Sequence, residues 1–408
     1  MQLNYLAFVL PVFFIFCAIE YYFSIKKNKQ VFSFNESISN MNVGLFERTC
    51  DLFTTLVFHY FFVWLYNNFA IFNIEANLLT WLLLFLATDL LWYWYHRFGH
   101  KVNILWSAHV VHHQSDDFNF TVAARITIFQ AFFRSIFWSF IPVLGFPPEM
   151  ITTILLIHGA YPFFTHTQLV GKLGIIEKFL VTPSHHRVHH SSNEQYLDKN
   201  FGDVLIIWDK FFGTYVEEDE KEKPVYGITS PLNSYSFLWQ HFHFLLEIAV
   251  SFKRAKGWKA KMNTIFGLPD DLDPSIRAEL EKKFLDQSPK KALSSTLIQF
   301  ISFNTVITVL FVFFFLLFGF YQDVTQIITG SLFVFVSVIH TGAMLEQRKW
   351  IFHIEFTRLL ILFIYLSITL PYHWYIAGVW LLLLPVVVFY NTANKNYLKL
   401  LTIDIKRN

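Results

Sequence analysis

The sequence predicts an all-α integral membrane protein, built as a multi-span helical bundle. Of its 408 residues, 54% are hydrophobic and only 15% are charged, whereas about 25% charged residues is typical of soluble domains. Apolar stretches of roughly 20 residues, the length that crosses the hydrocarbon of a bilayer, recur along the chain. A net charge of +2 gives no reason to expect nucleic-acid binding. Cys17 and Cys50 lie in or beside apolar segments, which argues against a disulfide framework or a thiolate metal site.

The spans follow one another in a simple order. The first is interpreted as a retained anchor rather than a signal peptide, because it is long, aromatic and lacks a basic start. Two arms separated by Pro147-Pro148 are interpreted as a hairpin that need not cross the bilayer completely. The predicted apolar segments are 3–24, 52–70 and 78–95, then the hairpin arms 126–146 and 150–165, and, after a polar stretch from about 171 to 295, the C-terminal spans 297–320, 324–344, 350–370 and 372–390.

Basic residues orient these spans, because lysine and arginine are enriched in cytoplasmic loops. Lys26, Lys27 and Lys29 follow the first span, which places that loop in the cytoplasm and the N-terminus outside. Counting spans from there, the basic run 253–261, the pair Arg348-Lys349 and the C-terminus all fall on the cytoplasmic side. All of the basic clusters therefore agree with one topology.

The histidines are concentrated in three clusters. Eleven of the 17 fall between residues 96 and 190. On a helix, residues three or four positions apart lie on one face, with Cβ atoms about 5–6 Å apart, so each cluster can offer two or three imidazoles to a common point. The clusters are His96-Arg-Phe-Gly-His100, His109-Val-Val-His112-His113 and His186-Arg-Val-His189-His190, with His185 directly before the last.

Metal binding explains these clusters better than packing, because so many imidazoles at a membrane boundary would be costly to desolvate. A structural zinc site closes with four ligands; the clusters offer about twice that number, so we expect two metal ions. Imidazole suits zinc, copper, iron and nickel. Iron activates O₂ and zinc does not, but ligand chemistry alone is equally compatible with a dizinc hydrolase. The isolated histidines are interpreted as ordinary structural residues: His59, His241, His243, His340, His353 and His373.

The position of the clusters favours a lipid substrate. The third span ends one residue before His96, so the first two imidazoles lie on its extension at the cytoplasmic surface, and His166 returns to that level at the end of the hairpin. Asp89 lies about two helical turns before His96 on the same face. A carboxylate within a span is a functional candidate, and we expect Asp89 to accept a hydrogen bond from a ligand imidazole; the alternative is a packing contact. His158 is assigned either a supporting or a purely structural role.

These motifs resemble the fatty acid hydroxylase (sterol desaturase) superfamily of membrane di-iron oxygenases. The resemblance is carried by Asp89-Leu-Leu-Trp-Tyr-Trp-Tyr-His96-Arg-Phe-Gly-His100 and by the second and third clusters. Thr182-Pro-Ser-His-His-Arg-Val-His-His190, Asp198-Lys-Asn200 and Leu205-Ile-Ile-Trp-Asp-Lys-Phe-Phe-Gly-Thr214 are similar to the alkylglycerol monooxygenase family within it. The likeness covers residues from about 50 to 250, and the C-terminal spans share only a hydropathy pattern.

The resemblance implies a function and a site. It implies two iron ions, O₂ as co-substrate, and hydroxylation of a lipid C–H bond, namely the ether-linked carbon of alkylglycerols, with release of a fatty aldehyde. Electrons would come from a separate donor, with tetrahydrobiopterin as the candidate; however, Lys101 stands where the family pattern has Glu. Asp89 and His185 are assigned catalytic roles. The metal ligands implied are His96, His100, His109, His112, His113, His166, His186, His189 and His190.

Three regions and two alternatives complete the prediction. We expect an anchor span and cytoplasmic loop at 1–48, a fatty acid hydroxylase-like di-iron domain at 49–290 with its site facing the cytoplasm, and a four-span region at 291–408. The first alternative is a hydroxylase or desaturase of sterols, sphingolipids or acyl chains. The second is a membrane metal transporter or sensor, which the grouping of the histidines at one surface disfavours because transporters bind near the midplane.

Overall fold

A computed structural model describes residues 3–286, 292–370 and 373–401. The regular elements among these residues are helices, which confirms the predicted fold class. A 3₁₀ turn at Tyr5–Phe8 leads into the first helix. The α-helices are α1 (Val9–Lys26), α2 (Phe34–Phe69), α3 (Leu78–Lys101), α4 (Asn103–His113), α5 (Ile128–Trp138), α6 (Phe140–Leu144), α7 (Pro148–Ala160), α8 (Pro183–His189), α9 (Ile207–Phe212), α10 (Phe237–Arg254), α11 (Trp258–Phe266), α12 (Ser275–Phe284), α13 (Ser295–Leu317), α14 (Val324–Leu345), α15 (Ile351–Thr369), α16 (His373–Val388) and α17 (Tyr390–Leu400).

Within the described residues, five helices are long and apolar enough to cross a membrane. They are α1 with its leading turn, α3, α13, α14 and α15, and each matches a predicted span. The last predicted span, 372–390, is less regular. Its helix α16 meets α17 at a bend of 90°, so these two count as a sixth candidate only if they form one broken span; residue 372 itself lies outside the described residues. The chain is an integral membrane protein, as predicted.

α2 differs from the prediction. Residues 34–48, expected in a loop, form the first half of a 36-residue helix, and the apolar half after them is not among the five helices that pass the spanning test. The physical reason is that polar residues of the first half find buried partners. Asn40 donates hydrogen bonds to Ser115 and Thr121, and Ser39 bonds with Gln240. Burial with satisfied hydrogen bonds keeps this half helical and inside the fold.

The predicted hairpin is present as α5 and α6, a sharp turn, and α7. Gly145 makes the turn with φ of +106°, and a Cβ there would lie 1.9 Å from the carbonyl oxygen of Phe72, so only glycine fits. α7 then starts at Pro148, a residue suited to the first helical position. Neither arm is among the five spanning helices, in agreement with a hairpin that does not cross completely.

Core packing joins the three predicted regions of the chain. One cluster of buried apolar residues includes Leu10 of α1, Leu45 of α2, Phe237 of α10 and Phe333 of α14. A second cluster, which includes Val43, packs α2 against α4 and α10. The polar stretch is therefore held against the helices that carry the histidines. It covers them and does not extend as a separate tail.

Candidate metal centre

Three helices carry the histidine clusters, as expected. α3 continues past its apolar segment to Lys101, so His96 and His100 lie on one face of an unbroken helix. α4 carries the second cluster in its last two turns. α8, only seven residues long, carries the third, and its first residue is Pro183. Each cluster thus lies on one helix, except that His190 is the residue directly after α8.

The nine predicted ligands converge in two groups. Within each group, one nitrogen from every ring lies within 4.8 Å of the others. The groups are neighbours, because the stacked rings of His113 and His190 have centroids 4.3 Å apart. The five-histidine group contains His96, His100, His109, His113 and His189, and the four-histidine group contains His112, His166, His186 and His190.

The second and third clusters are divided between the groups in a reciprocal way. α4 supplies His109 and His113, four residues apart, to the five-histidine group and sends His112 to the other. In the third cluster, His186 of α8 and His190 directly after it, also four apart, join the four-histidine group, and His189 joins the five-histidine group. Because each helix serves both groups, the relative placement of α4 and α8 sets the distance between the two candidate metal positions.

Backbone carbonyls hold the outer nitrogens of four of these rings. The Nδ1–H of His96 donates to the Phe201 carbonyl at 2.9 Å, and that of His189 to the Lys199 carbonyl at 2.9 Å. In the four-histidine group, His112 and His166 donate in the same way, at 3.2 and 2.6 Å, to Arg125 and Pro162. A carbonyl can only accept, so the proton sits on Nδ1 and the inner Nε2 carries a lone pair, which is the tautomer a metal needs.

This arrangement fits metal ions. The Nε2 atoms of His112 and His166 lie 3.2 Å apart, and neither carries a proton, so two lone pairs face each other. Burial and neighbouring imidazoles lower the pKa of His112 well below its usual value, and burial lowers that of His166 to about 4, so neither ring becomes a cationic donor at neutral pH. The buried Nε2 atoms of His100 and His189 also lack partners among the described residues. A shared cation resolves both features, since two ligands about 2.1 Å from one ion lie roughly 3 Å apart.

Arg125 supports the centre and was missed by sequence reasoning. The residue is buried, and its guanidinium donates to the Val111 carbonyl at 2.5 Å, to Gln114 at 2.7 Å and to Asn40 at 3.0 Å. Its own carbonyl accepts the bond from His112. The residue thus ties the end of α4 to α2. A single arginine directly before an apolar segment has no distinguishing pattern, so no signal in the sequence pointed to it.

Asp89 occupies a different position from the one predicted. It is fully buried in α3, but it accepts hydrogen bonds from the backbone N–H groups of Val204 and Leu205, at 3.0 and 3.2 Å, and from the Trp208 indole at 2.8 Å. Among the described residues it forms no hydrogen bond with an imidazole of the five-histidine or four-histidine group. Its carboxylate therefore anchors the loop after α8 and the start of α9 to the membrane helix, because two N–H donors of the loop and one of α9 share it as acceptor.

His185 also lies apart from the two groups. Its Nδ1 accepts from the backbone N–H of Thr182 at 3.3 Å, which makes it part of the cap of α8. Its ring packs against Tyr215, with centroids 5.6 Å apart. As the residue directly before His186, it points about 100° around the helix from that ligand. The structure therefore does not bring the predicted catalytic His185 to the centre.

Lys101 forms an ion pair, although its side chain is 43% exposed. Its ammonium pairs with the carboxylate of Asp198, whose other oxygen lies 3.5 Å from Nδ1 of His100. Burial raises the pKa of Asp198, but its bonds to His100 and Lys101 outweigh this and lower it to about 2. An ionised carboxylate thus faces the outer nitrogen of one ligand, and Lys101 balances its charge.

A cavity of about 600 Å³ opens beside both groups. Its wall is mainly apolar and includes Phe13 and Phe16 of α1 and Phe163 at the end of the hairpin. The wall also includes imidazoles of both groups, namely His96, His109, His112, His166 and His186. Sites that enclose small organic ligands have volumes of about 300–1,000 Å³, so this cavity can hold an extended apolar chain against the histidines.

Comparison with known proteins agrees with the motifs. The fatty acid hydroxylase family matches residues 81–214, a segment that contains all nine histidines. Alkylglycerol monooxygenase of Homo sapiens is 32% identical over 335 residues, which cover 79% of this chain and 74% of that protein. The chain belongs to this family. Its oxidoreductase class, that of a membrane lipid monooxygenase, is the one predicted.

Other relatives extend the family assignment. Alkylglycerol monooxygenases of Xenopus tropicalis and Danio rerio are 34% and 37% identical. The matches cover 69% and 51% of this chain, and 64% and 48% of the relatives. A more distant relative is the ornithine lipid hydroxylase OlsE of Rhizobium tropici, 28% identical over 41% of this chain and 48% of that protein. No solved structure matches.

Proposed function

We propose that this family member is a di-iron monooxygenase that hydroxylates the ether-linked carbon of alkylglycerols, with release of a fatty aldehyde and a glycerol derivative. The observation that carries the proposal is the apolar cavity whose wall contains imidazoles of both histidine groups. The names of the relatives supply the substrate class. The nine histidines are proposed as the metal ligands, because one nitrogen of every ring converges within its group and backbone carbonyls leave the inner nitrogens of four rings free to bind a metal.

Iron is proposed because the family is oxidative and zinc has no accessible redox change. Two bound irons would supply the O₂ chemistry that an unactivated C–H bond requires. The rest is positioning by the chain itself. The carbonyls of Phe201, Lys199, Arg125 and Pro162 fix four rings, so these ligands need little reorganisation. The cavity aligns the alkyl chain beside them and keeps water away from the reacting carbon.

The centre is proposed to face the cytoplasm. Support comes from the basic residues of the polar segment, including Lys253 and Lys259, which the positive-inside tendency assigns to that side. Lys259 is exposed, so it offers a direct test. A single cysteine at Lys259→Cys, in a chain with Cys17 and Cys50 replaced, should resist a membrane-impermeant thiol reagent in intact cells and react after permeabilisation. Labelling in intact cells would contradict the orientation.

The electrons are proposed to come from a separate donor, with tetrahydrobiopterin as the candidate. A polar cavity of about 390 Å³, whose wall includes Glu36, Asp116 and Arg125, supports a small polar donor. It adjoins the four-histidine group, because the Arg125 carbonyl accepts from His112. If this cavity binds the pterin, Glu36→Gln should raise the tetrahydrobiopterin concentration needed for half-maximal turnover while the iron content stays the same. An unchanged requirement would contradict this assignment, and a donor protein would take its place.

Lipid mass spectrometry tests the main proposal. Membranes with and without the protein would be given an alkylglycerol and the matched acylglycerol, under O₂ with a reductant. We expect loss of the alkylglycerol alone, with a fatty aldehyde formed in equal amount. His112→Ala should abolish this loss. His59→Ala is the matched control, since His59 belongs to neither group and lies on α2, 3.5 Å from Thr152. Equal turnover of both lipids, or aldehyde formation by His112→Ala, would contradict the proposal.

A second candidate is hydroxylation of another membrane lipid without cleavage. The relative OlsE, named as an ornithine lipid hydroxylase, favours it. The same experiment separates the two functions: this candidate predicts a stable product heavier by one oxygen atom, whereas cleavage of an ether predicts two smaller products.

A further inference from the structure

An aspartate that belongs to neither histidine group contributes to the wall of the same cavity. Asp203 lies in the loop between α8 and α9, and together with His158 it lines the apolar cavity. The Asp203 side chain is 9% exposed, whereas His158 is completely buried. The carboxylate is therefore the more accessible of the two groups.

The position of Asp203 is tightly defined. His158 of α7 donates its Nδ1–H to Oδ2 of Asp203 at 2.7 Å. On one side of Asp203 in the chain, Asp209 accepts from the N–H of Gly202 at 2.7 Å. On the other side, Asp89 accepts from the N–H of Val204 at 3.0 Å. Buried carboxylates thus clamp the loop on both sides of Asp203, and the Oδ1 atom of Asp203 accepts no hydrogen bond from the described residues.

The loop also connects Asp203 to the candidate metal centre. Phe201, two residues earlier, accepts the Nδ1–H of His96 at 2.9 Å through its carbonyl. His96 and Asp203 line one cavity. A lipid whose reacting carbon lies beside the imidazoles therefore has this carboxylate among its neighbours. The wall is mainly apolar, and the oxygen of Asp203 that accepts no hydrogen bond from the described residues is suited to accept a proton from a hydroxyl group.

We propose that Asp203 is the acid–base residue that breaks down the hydroxylated product. The inference rests on the proposed function, in which hydroxylation of the ether-linked carbon yields a hemiacetal. Asp203 takes the proton of the new hydroxyl group while the carbonyl double bond forms and the bond from that carbon to the glycerol oxygen breaks. It then returns the proton to the glycerol oxygen. The products are a fatty aldehyde and a glycerol hydroxyl; the step is redox-neutral and needs no co-reactant.

The surroundings of Asp203 suit this role. Burial raises the pKa of Asp203, and the hydrogen bond from His158 opposes the rise; a carboxyl group with a raised pKa exchanges protons more readily near neutrality. The other titratable groups that face it are Asp89 and Tyr161. Asp89, His158 and Asp203 are also close enough to hold a metal ion. However, three N–H donors already bond to the carboxylate of Asp89, and His158 holds a proton on the nitrogen that faces Asp203, so hydrogen bonds account for this cluster without a metal.

A pair of substrates tests the inference. One is an alkylglycerol, and the other is its analogue with a methylene group in place of the ether oxygen, whose hydroxylation yields a stable secondary alcohol. Asp203→Asn keeps an oxygen that accepts from His158 but is not a base. In single turnovers, we expect it to hydroxylate the analogue at the wild-type rate. With the ether, aldehyde trapped by a hydrazine should lag behind substrate loss by at least about tenfold, since general acid–base groups contribute 10²–10⁴-fold.

Controls keep the possible results distinct. Asp203→Glu, which restores a carboxylate, should recover most of the aldehyde release, and Asp117→Asn, a carboxylate outside the cavity, should behave as wild type. Aldehyde release by Asp203→Asn in step with substrate loss would overturn the inference. So would an equal loss of both substrates, or the loss of a third metal ion from the variant. If the wild type hydroxylates the analogue but not the ether, the proposed function fails and the inference fails with it.

Discussion

His112 and His113 are adjacent in the chain but should respond differently to substitution. His112 belongs to the four-histidine group, with its ring centroid 4.6 Å from that of His190 and 5.1 Å from that of His166. His113 belongs to the five-histidine group. His112→Ala therefore leaves three imidazoles in its group, whereas His113→Ala leaves four in the other.

The size of the effect follows from these numbers of ligands. Four ligands close a typical site, so the group without His112 is one short and the group without His113 is not. Loss of only an outer hydrogen-bond partner weakens metal binding 10–100-fold, and loss of a ligand should weaken it by at least about 100-fold. His112→Ala should then be purified with about one iron per chain where the wild type has about two. His113→Ala should keep more iron per chain than His112→Ala.

Iron analysis of purified, iron-loaded protein tests this difference. The iron content of His112→Ala, His113→Ala, His59→Ala and wild type would be measured together with the thermal unfolding temperature in detergent, which reports whether each variant is folded. The expected order of iron content is wild type and His59→Ala, then His113→Ala, then His112→Ala. Two irons in His112→Ala, or a lower content in His113→Ala than in His112→Ala, would refute the assignment of these residues to separate groups.

Three more predictions concern Arg125, His241 and Lys101. Arg125→Met should destabilise the protein by roughly 2–4 kcal/mol, because it leaves several buried acceptors without a donor, and chemical denaturation in detergent would measure the loss; an unchanged midpoint would contradict the role of Arg125. Burial lowers the pKa of His241 to about 4, below the unfolded value of about 6.5, so the unfolded chain binds the extra proton and stability should fall as pH drops from about 6.5 to 4, by up to about 3 kcal/mol. His241→Gln should flatten this part of the plot of stability against pH. An equally steep fall in the variant would contradict the contribution assigned to His241. Lys101→Glu should lower the iron content, because a second carboxylate would repel Asp198 from its place beside His100; a pterin-supported gain in turnover at full iron content would contradict the structural role of Lys101.

Local signals in the sequence accounted for much of the fold. Apolar stretches long enough to cross a bilayer predicted α1, α3, α13, α14 and α15, because hydrocarbon imposes both length and composition on a spanning helix. α2 escaped this reasoning. Its first half is polar along the sequence but buried in the structure, and only the side chains of distant residues, such as Thr121 and Gln240, satisfy it. Hydropathy does not report such partners.

The candidate site was also predicted only in part from the sequence. Helical spacing predicted that clustered imidazoles share a face, and the structure brings nine histidines together in two groups. The partners of those imidazoles did not follow from spacing. Asp89 bonds to a loop more than 110 residues away in the chain and not to a ligand one or two turns along its own helix. Asp203 and Arg125 acquire their roles through contacts with α7 and α2, so no short motif marks them.

The sequence by itself determined that this is a helical membrane protein with histidines clustered at helical spacing, because composition and residue spacing are properties of the chain. Only the tertiary structure decided how those histidines are shared. His112 and His113 point about 100° apart around α4, and which group each one joins depends on where α8 lies. Packing against α2 and α10 positions α4, and the loop that follows α8 is anchored by Asp89 and Asp209. These contacts link residues far apart in the chain, and their geometry exists only after the chain has folded.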